Sequence, residues 1–230
     1  MAEDKKSIIN MVPDSVDNAV KNMTNDLTTS IGTTLADLWF LVFGGISHMA
    51  DKRRAHYLSE LKKFENELSH NISEIPEGKK AEPDIQVIAH TLEAAKYCVE
   101  KEELRYMFAK LIKSSLDMDY SEFVHPSYCE IIRQMSPLDA RIFNMIMTIN
   151  IRPIISIKIQ DTDGGLYPFC DNCSWITEYT PTQCRRAFDS LSRLGLINID
   201  RQIPYTNKAL YDTVRGNPHF IAAQYECMQK

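Results

Sequence analysis

The chain has 230 residues, a net charge of -5, and 44% apolar and 25% charged residues. This composition is typical of a globular protein that can bury a sizeable core, and the negative net charge excludes a general attraction to nucleic acid or anionic membrane. The charge is uneven, with 6 Lys and Arg against 11 Asp and Glu over residues 81–140 (net -5), but 10 against 8 over residues 141–230 (net +2). Only the last part could approach a polyanion without electrostatic cost.

The cysteines and the N-terminus both indicate a cytoplasmic protein. Six cysteines are scattered along the chain, and the charged first residues lack the apolar segment of a secretory leader. This pattern favours a reducing compartment over a disulfide framework.

Residues 1–30 are predicted to be a partly disordered segment containing one weakly amphipathic helix. Its apolar residues recur every three or four positions from Val16 to Ile31, and Pro13 places the start of the helix near Asp14.

The most hydrophobic segment spans residues 35–46. Asp37 and the pair Gly44-Gly45 interrupt it, so its apolar run is shorter than the roughly 20 residues of a membrane-spanning helix. We predict a buried core helix or a helix-packing face. The alternative is an interfacial membrane segment, with a peripheral membrane location on activation, whose contacts would be Trp39, Phe40 and Phe43.

Three further helical patterns follow. Residues 56–72 predict an amphipathic helix that turns Lys62, Lys63, Glu65 and Glu67 away from the core. A linker over residues 75–83 leads to a helix that begins at Pro83-Asp84 and continues to Val99. Residues 100–116 form the next pattern, with acidic residues in the first turn and lysines near the end.

The run from His125 to Ile142 contains two helix starts. Pro126 stands near the first helical position of a short helix, and Ser136-Pro137-Leu138-Asp139 has a preferred N-cap followed by Pro and an acidic residue. Together with three stretches further upstream, this segment resembles the bacterial Abi-alpha family, which is named for abortive phage infection. The stretches that carry the resemblance are Glu103-Leu104, Phe108-Ala109-Lys110-Leu111, Ser114-Ser115-Leu116, His125-Pro126-Ser127-Tyr128 and Met135 through Ile142. The resemblance implies a mostly helical phage-defence protein and carries no catalytic residues.

The last third of the chain contains patterns of strands as well as helices. The β-branched run 154–159 predicts a strand that ends in a turn over residues 161–165, and residues 173–179 predict a short helix. Thr180-Pro181-Thr182-Gln183 has the capping-box pattern with Pro at the first helical position, and Gly195 suits the C′ position of the same helix.

Residues 196–200 and 210–214 are expected to be strands of a wing, and residues 217–230 a final short helix or tail. This order of elements predicts a winged helix-turn-helix.

The outward face of the capped helix is the main candidate contact surface. In a DNA-binding helix-turn-helix these positions enter the major groove. The candidates for contact with nucleic acid or a protein partner are Thr182, Gln183, Arg185, Arg186 and Arg193, with Asp189 among them. Two net positive charges are few for a protein that must neutralise several phosphates, so structural or protein–protein use is favoured.

No residue pattern predicts catalysis, a metal or a cofactor. Cys170 and Cys173 form a CxxC, but Cys184, His219 and Cys227 do not complete a familiar zinc spacing, and a thioredoxin-like βαβ context is missing. The preferred interpretation is reduced structural cysteines. The histidines form no HExxH pair, and no Walker A, GxGxxG or GxSxG motif is present.

We therefore predict a mainly α, non-enzymatic protein. A partly disordered N-terminal segment (1–30) precedes a multi-helix domain (31–150) and a winged-helix-like domain (151–230). The expected function is an interaction or effector role in abortive-infection phage defence, through an unknown protein partner or self-association. The two alternatives are a nucleic-acid-binding regulator that uses the capped helix, and a membrane-perturbing effector that uses residues 35–46.

Overall fold

The computed structural model describes residues 30–44, 51–148, 152–200 and 204–229. Within them the protein is mainly helical, with nine α-helices and one small antiparallel sheet. The chain divides into two compact units, residues 1–137 and 138–230. The helix predicted before residue 30 lies outside the described residues, and the domain boundary expected near residue 150 stays a prediction.

The first unit, here called the helical unit, contains five of the helices. They are α1 (Ser30–Phe43), α2 (Asp51–Ser73), α3 (Ile85–Ala95), α4 (Glu102–Ser115) and α5 (Tyr128–Gln134), with 3-10 turns at Glu77–Lys79 and Ser121–Phe123. Helix α4 packs on α2, α3 and α5, and α3 also packs on α1 and α5.

The core of the helical unit is built from the apolar stripes that the helical period predicts. Its largest fully buried side chains are Trp39, Phe43, Phe64, Phe108, Leu35, Leu68, Ile72, Ile88, Leu92, Leu104 and Ile112. Burying a side chain of this size contributes about 1.5–3 kcal/mol relative to leaving it in water. The apolar faces predicted for α2, α3 and α4 are therefore mostly buried, although Ile85, expected on the inner face of α3, is 60% exposed.

Two details of the helical unit differ from the sequence-based expectation. Helix α3 ends at Ala95 rather than Val99. Its predicted start is confirmed, because Asp84 is the N-cap and its side chain accepts from the N–H groups of Gln86 and Val87 at 2.9 and 3.2 Å. The linker 75–83 is ordered against the end of α4. Ala81 N–H donates to the carbonyl of Leu116 at 2.8 Å, and Met118 N–H donates to that of Lys79 at 2.8 Å.

The second unit, here called the mixed unit, covers residues 138–230 and begins within α6 (Pro137–Met147). It contains β1 (Ile155–Gln160), β2 (Leu166–Cys173), α7 (Pro181–Arg193), α8 (Asp212–Arg215) and α9 (Pro218–Met228), with a 3-10 turn at Lys208–Tyr211. The strands pair antiparallel, and the predicted turn between them closes with Asp161 N–H donating to the Gly165 carbonyl at 2.8 Å. Gly164 has a φ of 87° there, which glycine adopts without strain.

The short helix predicted over residues 173–179 is wrong. Strand β2 continues through Cys173, and residues 174–180 have no regular secondary structure. The Asn217 amide donates to the carbonyls of Ser174 and Ile176 at 2.8 and 2.7 Å. Because these carbonyls are engaged by a side chain distant in sequence, they are not available to a local helix.

The two predicted wing strands are also wrong. Residues 196–200 have no regular structure, and residues 210–214 belong to the 3-10 turn and to α8. The Asn207 side chain caps this helical stretch by accepting from Ala209 N–H at 3.1 Å, and Val214 is fully buried. In the described part of the chain the one hairpin precedes α7 instead of following it, so a winged-helix arrangement is not confirmed.

Candidate functional site

Helix α7 is held at both ends by the local signals that the sequence predicts. Thr180 and Gln183 form a complete capping box, with Pro181 in the first turn. At the other end Gly195 has a φ of 73°, and Leu196 N–H donates to the Leu191 carbonyl at 3.0 Å. This six-to-one bond after a left-handed glycine is a Schellman motif, so the helix has well-defined limits.

The inner face of α7 anchors the helix in the mixed unit. Cys184, Ala187, Phe188 and Leu191 are buried, and α7 packs on β2. Ser190 Oγ also donates to the buried carboxylate of Asp139 at 3.1 Å. Asp139 therefore makes a hydrogen bond to α7. The sequence predicted only a capping role for this residue, so this contact was not expected.

The outer face of α7 brings the predicted contact residues together. Thr182, Arg186 and Arg193 recur at spacings of four and seven, so they share one stripe, and Gln183 and Arg185 flank it. All five are exposed. Asp189 lies among them, with 3.7 Å between its Oδ2 and Arg185 Nε. The face therefore carries three arginines against one carboxylate.

The three aromatic residues proposed as membrane contacts do not share one face of α1. Trp39 and Phe43 are fully buried, with ring centroids 4.6 Å apart, and Trp39 also lies 5.4 Å from Phe64 of α2. Phe40 is 42% exposed and its neighbour Leu41 is 76% exposed. In this conformation only Phe40 of the three is available to a membrane or a partner.

Cys170 and Cys173 lie next to each other at the end of β2. Their Sγ atoms are 3.1 Å apart and both thiols are free. Cys173 is buried, and this burial raises the pKa of its thiol to about 12. No group of three or more metal-ligating side chains occurs among the described residues, which include Cys184, His219 and Cys227.

Asn172, between the two cysteines, has an unfavourable backbone and an unfavourable environment. Its φ of 58° is the one left-handed value of a non-glycine residue in the described ranges. Its side chain is fully buried, and neither Oδ1 nor Nδ2 has a hydrogen-bond partner. Each of these features costs on the order of 1–3 kcal/mol. Such outliers are concentrated at functional sites.

The helical unit contains a buried ionic cluster that the sequence-based reasoning missed. The Arg105 guanidinium donates to Glu60 Oε2 at 2.7 Å, to Glu67 Oε1 at 3.0 Å from Nε, and to the Val99 carbonyl at 3.0 Å. Glu65, also predicted to face solvent, is buried and pairs with Lys62 at 2.8 Å. One signal was present in the sequence, because Arg105 shares the apolar face of α4 with Phe108.

These features describe a mainly helical protein in which a small α/β unit displays an arginine-bearing helix. The profile of the family described as Abortive infection alpha matches residues 56–229, so the chain belongs to that family. Neither a curated protein nor a solved structure matches it. Membership suggests an abortive-infection type of role, and the family is not known as an enzyme family.

The family assignment predicted from the sequence is confirmed. As for membranes, none of the helices in the described ranges has both the length and the apolar character needed to cross a bilayer.

Proposed function

We propose that this protein acts in abortive infection through protein contact, by self-association. In this proposal the outer face of α7 in one copy contacts the acidic helical unit of a second copy. The observation that carries the proposal is the exposed outer face of α7, which presents three arginines on a helix whose inner face and both ends are anchored.

Opposite charge on the two units supports a second copy as the partner. Residues 1–137 contain 16 Lys and Arg against 22 Asp and Glu, a net charge of -6, whereas residues 138–230 contain 10 against 9, a net charge of +1. Complementary charge steers association and suppresses wrong partners. An arginine-bearing face on one unit therefore has an acidic counterpart in every other copy.

Residues around the α3–α4 turn offer an acceptor surface for the arginines. Glu93, Glu100 and Glu102 are exposed there, and Tyr97 is 70% exposed. Burial, and then the charges of Glu100 and Glu93, raise the pKa of the nearby Tyr57. Tyrosine and arginine are both enriched at protein interfaces. We refer to Glu93, Tyr97, Glu100 and Glu102 as the acidic turn.

The charge on the mixed unit argues against nucleic acid as the partner. Affinity for DNA depends on the number of phosphates that Lys and Arg neutralise, and typical binders make about 6–10 such contacts. The mixed unit has a net charge of +1, and Asp189 stands within the arginine face. Such a surface suits a patterned protein partner better than a uniform polyanion.

Light scattering coupled to size-exclusion chromatography tests the proposal. We expect a mass above that of one chain at low salt, which falls towards the monomer as salt screens the contact. Arg185→Glu with Arg186→Glu should weaken self-association at least tenfold. The matched control is Arg215→Glu, because Arg215 is an exposed arginine of the same unit that pairs only locally with Asp212.

A charge exchange identifies the second surface. Glu100→Arg with Glu102→Arg should also abolish self-association. Mixing this variant with the Arg185→Glu, Arg186→Glu variant (the α7 variant) should restore association between unlike copies, because the acidic α7 face of one variant then meets the basic turn of the other. Combining all four substitutions in one chain should restore self-association. A wild-type protein that stays monomeric at every concentration and salt would overturn the proposal.

Two further assays connect the contact to defence and to the nucleic-acid alternative. In cells that express the protein, protection against phage should be lost with the α7 variant and kept with the Arg215 control. A gel-retardation assay with double-stranded DNA at low salt should show no complex. If the wild-type protein retards DNA and the α7 variant does not, nucleic-acid binding would replace self-association as the proposed function.

Membrane contact through α1 is the second candidate, favoured by the exposure of Phe40 and Leu41. The variant that tests it is Phe40→Asp with Leu41→Asp, because Trp39 is in the core and its replacement would test folding instead. Sedimentation with liposomes of anionic lipid should show binding that this variant removes. Absence of wild-type binding would reject the membrane role.

A further inference from the structure

We propose that Cys170 and Cys173 are a modification site, a dithiol that a low-molecular-weight disulfide such as oxidised glutathione converts reversibly to an intramolecular disulfide. The inference does not depend on self-association.

The backbone places the two thiols on the same side of the hairpin. Side chains three residues apart in a regular strand point to opposite faces. Here Ile155 pairs with Cys173 and Ile157 pairs with Cys170, so two steps along β1 oppose three steps along β2. The extra residue forms a β-bulge, and the left-handed Asn172 lies within it. The extra residue turns the two cysteine side chains to the same side of the hairpin, where their Sγ atoms lie 3.1 Å apart.

This separation is close to that of a disulfide. An S–S bond is about 2.05 Å long, so the two sulfur atoms must approach each other by only about 1 Å. A buried, unpartnered Asn172 side chain is a costly way to build a structural hairpin. A bulge that positions two thiols accounts for the cost.

The different exposure of the two thiols sets the order of the reaction. Cys170 is half-buried, so its thiolate attacks one sulfur of the oxidant, the S–S bond of the oxidant breaks, and one small thiol leaves. The buried Cys173 thiolate then attacks Cys170 Sγ, the mixed disulfide breaks, and the second small thiol leaves. In sum, two protein thiols and one small disulfide become one protein disulfide and two small thiols.

The second step should be slow and accelerated by base. Burial, and then the hydrogen bond to Cys170, raise the pKa of Cys173 to about 12. Since the thiolate is the nucleophile and Cys173 stays buried after Cys170 has reacted, the rate of closure should rise with pH.

The disulfide would form next to the segment that leads to α7. Cys173 is followed directly by Ser174, whose carbonyl accepts from Asn217 at 2.8 Å, and the segment ends at Thr180, the N-cap of α7. His219 Nε2 lies 3.2 Å from the Thr177 carbonyl and holds the middle of the same segment. The dithiol therefore stands where a covalent bond would restrain the start of α7.

Incubation of the full chain with oxidised glutathione tests the proposal. We expect the intact mass to fall by about 2 Da, and the thiols titrated under denaturing conditions to fall from six to four. Peptide mapping of the wild-type protein should find the bond between Cys170 and Cys173, and dithiothreitol should restore six thiols. Mapping the wild type keeps the test valid even where a cysteine variant folds poorly.

Variants separate the two steps. Cys173→Ser should stop at one bound glutathione on Cys170, and Cys170→Ser should show neither a mixed disulfide at this site nor the mass loss. Cys184→Ser is the matched control, because Cys184 is a buried cysteine of the same unit, and it should behave as the wild type. Six unchanged thiols, a bond that uses other cysteines, or zinc that remains on the protein after chelation and protects these thiols would each overturn the proposal.

Discussion

Replacing Arg105 by methionine should destabilise the helical unit more than any surface charge change. The Arg105 side chain is 4% exposed, and its guanidinium bonds both Glu60 and Glu67. Methionine fills a similar volume but leaves Glu67 without its cation and Glu60 paired with Lys63 alone. Breaking a buried pair by removing one partner costs about 3–5 kcal/mol. A typical domain is stable by about 5–15 kcal/mol, so this loss is a large part of the total.

Urea unfolding followed by circular dichroism measures the effect. The matched control is Arg133→Met, because Arg133 pairs with Glu130 while both side chains are about half exposed, at 51% and 49%. Exposed pairs contribute about 0–1 kcal/mol, so the control should unfold close to the wild type. The reasoning is refuted if the Arg105 variant lies within about 1 kcal/mol of the wild type.

The same variant has a predictable pH dependence. A hydrogen bond from Lys63, and then the charges of Lys63 and Arg105, hold the pKa of Glu60 below its ordinary value of 4.5. A carboxyl with a lowered pKa stabilises the fold above the unfolded value, and this contribution disappears as the pH falls through the folded value. The stability difference between wild type and Arg105→Met should therefore shrink below about pH 4.5. A difference that is constant with pH would show that lost packing, not charge, explains the defect.

Three other substitutions test separate parts of the structure by urea unfolding. Trp39→Ala should cost about 3–5 kcal/mol because it empties a buried aromatic site, whereas Leu41→Ala on the exposed face should cost far less. Thr180→Ala should cost about 1 kcal/mol through loss of the α7 cap, and no change would contradict the capping box. Tyr57 donates to the Lys96 carbonyl at 2.8 Å, so Tyr57→Phe should cost about 1 kcal/mol at neutral pH. Because burial raises the Tyr57 pKa above 10, wild-type stability should fall as the pH rises past 10, and the phenylalanine variant should lack this fall.

Local signals determined the parts of this protein that were predicted correctly from its sequence. Helical periodicity depends on residues three and four apart, so the buried faces of α2, α3 and α4 follow from consecutive residues. The capping box at Thr180 and the glycine at Gly195 act within one helical turn, and the limits of α7 follow from them. The family assignment also rests on the sequence alone, over residues 56–229, which span both units.

Tertiary structure decided the features whose partners are distant in sequence. Arg105 meets Glu60 and Glu67 across 45 and 38 residues, and residues 174–176 take their shape from Asn217, more than 40 residues away. Helix α1 is apolar on several sides, so only packing against Phe64 selects Trp39 for the core and leaves Phe40 outside. The register of β2 against β1 places Cys170 beside Cys173, because a strand alone would separate them. No local pattern contains these contacts, since their free energy depends on groups that only the folded chain brings together.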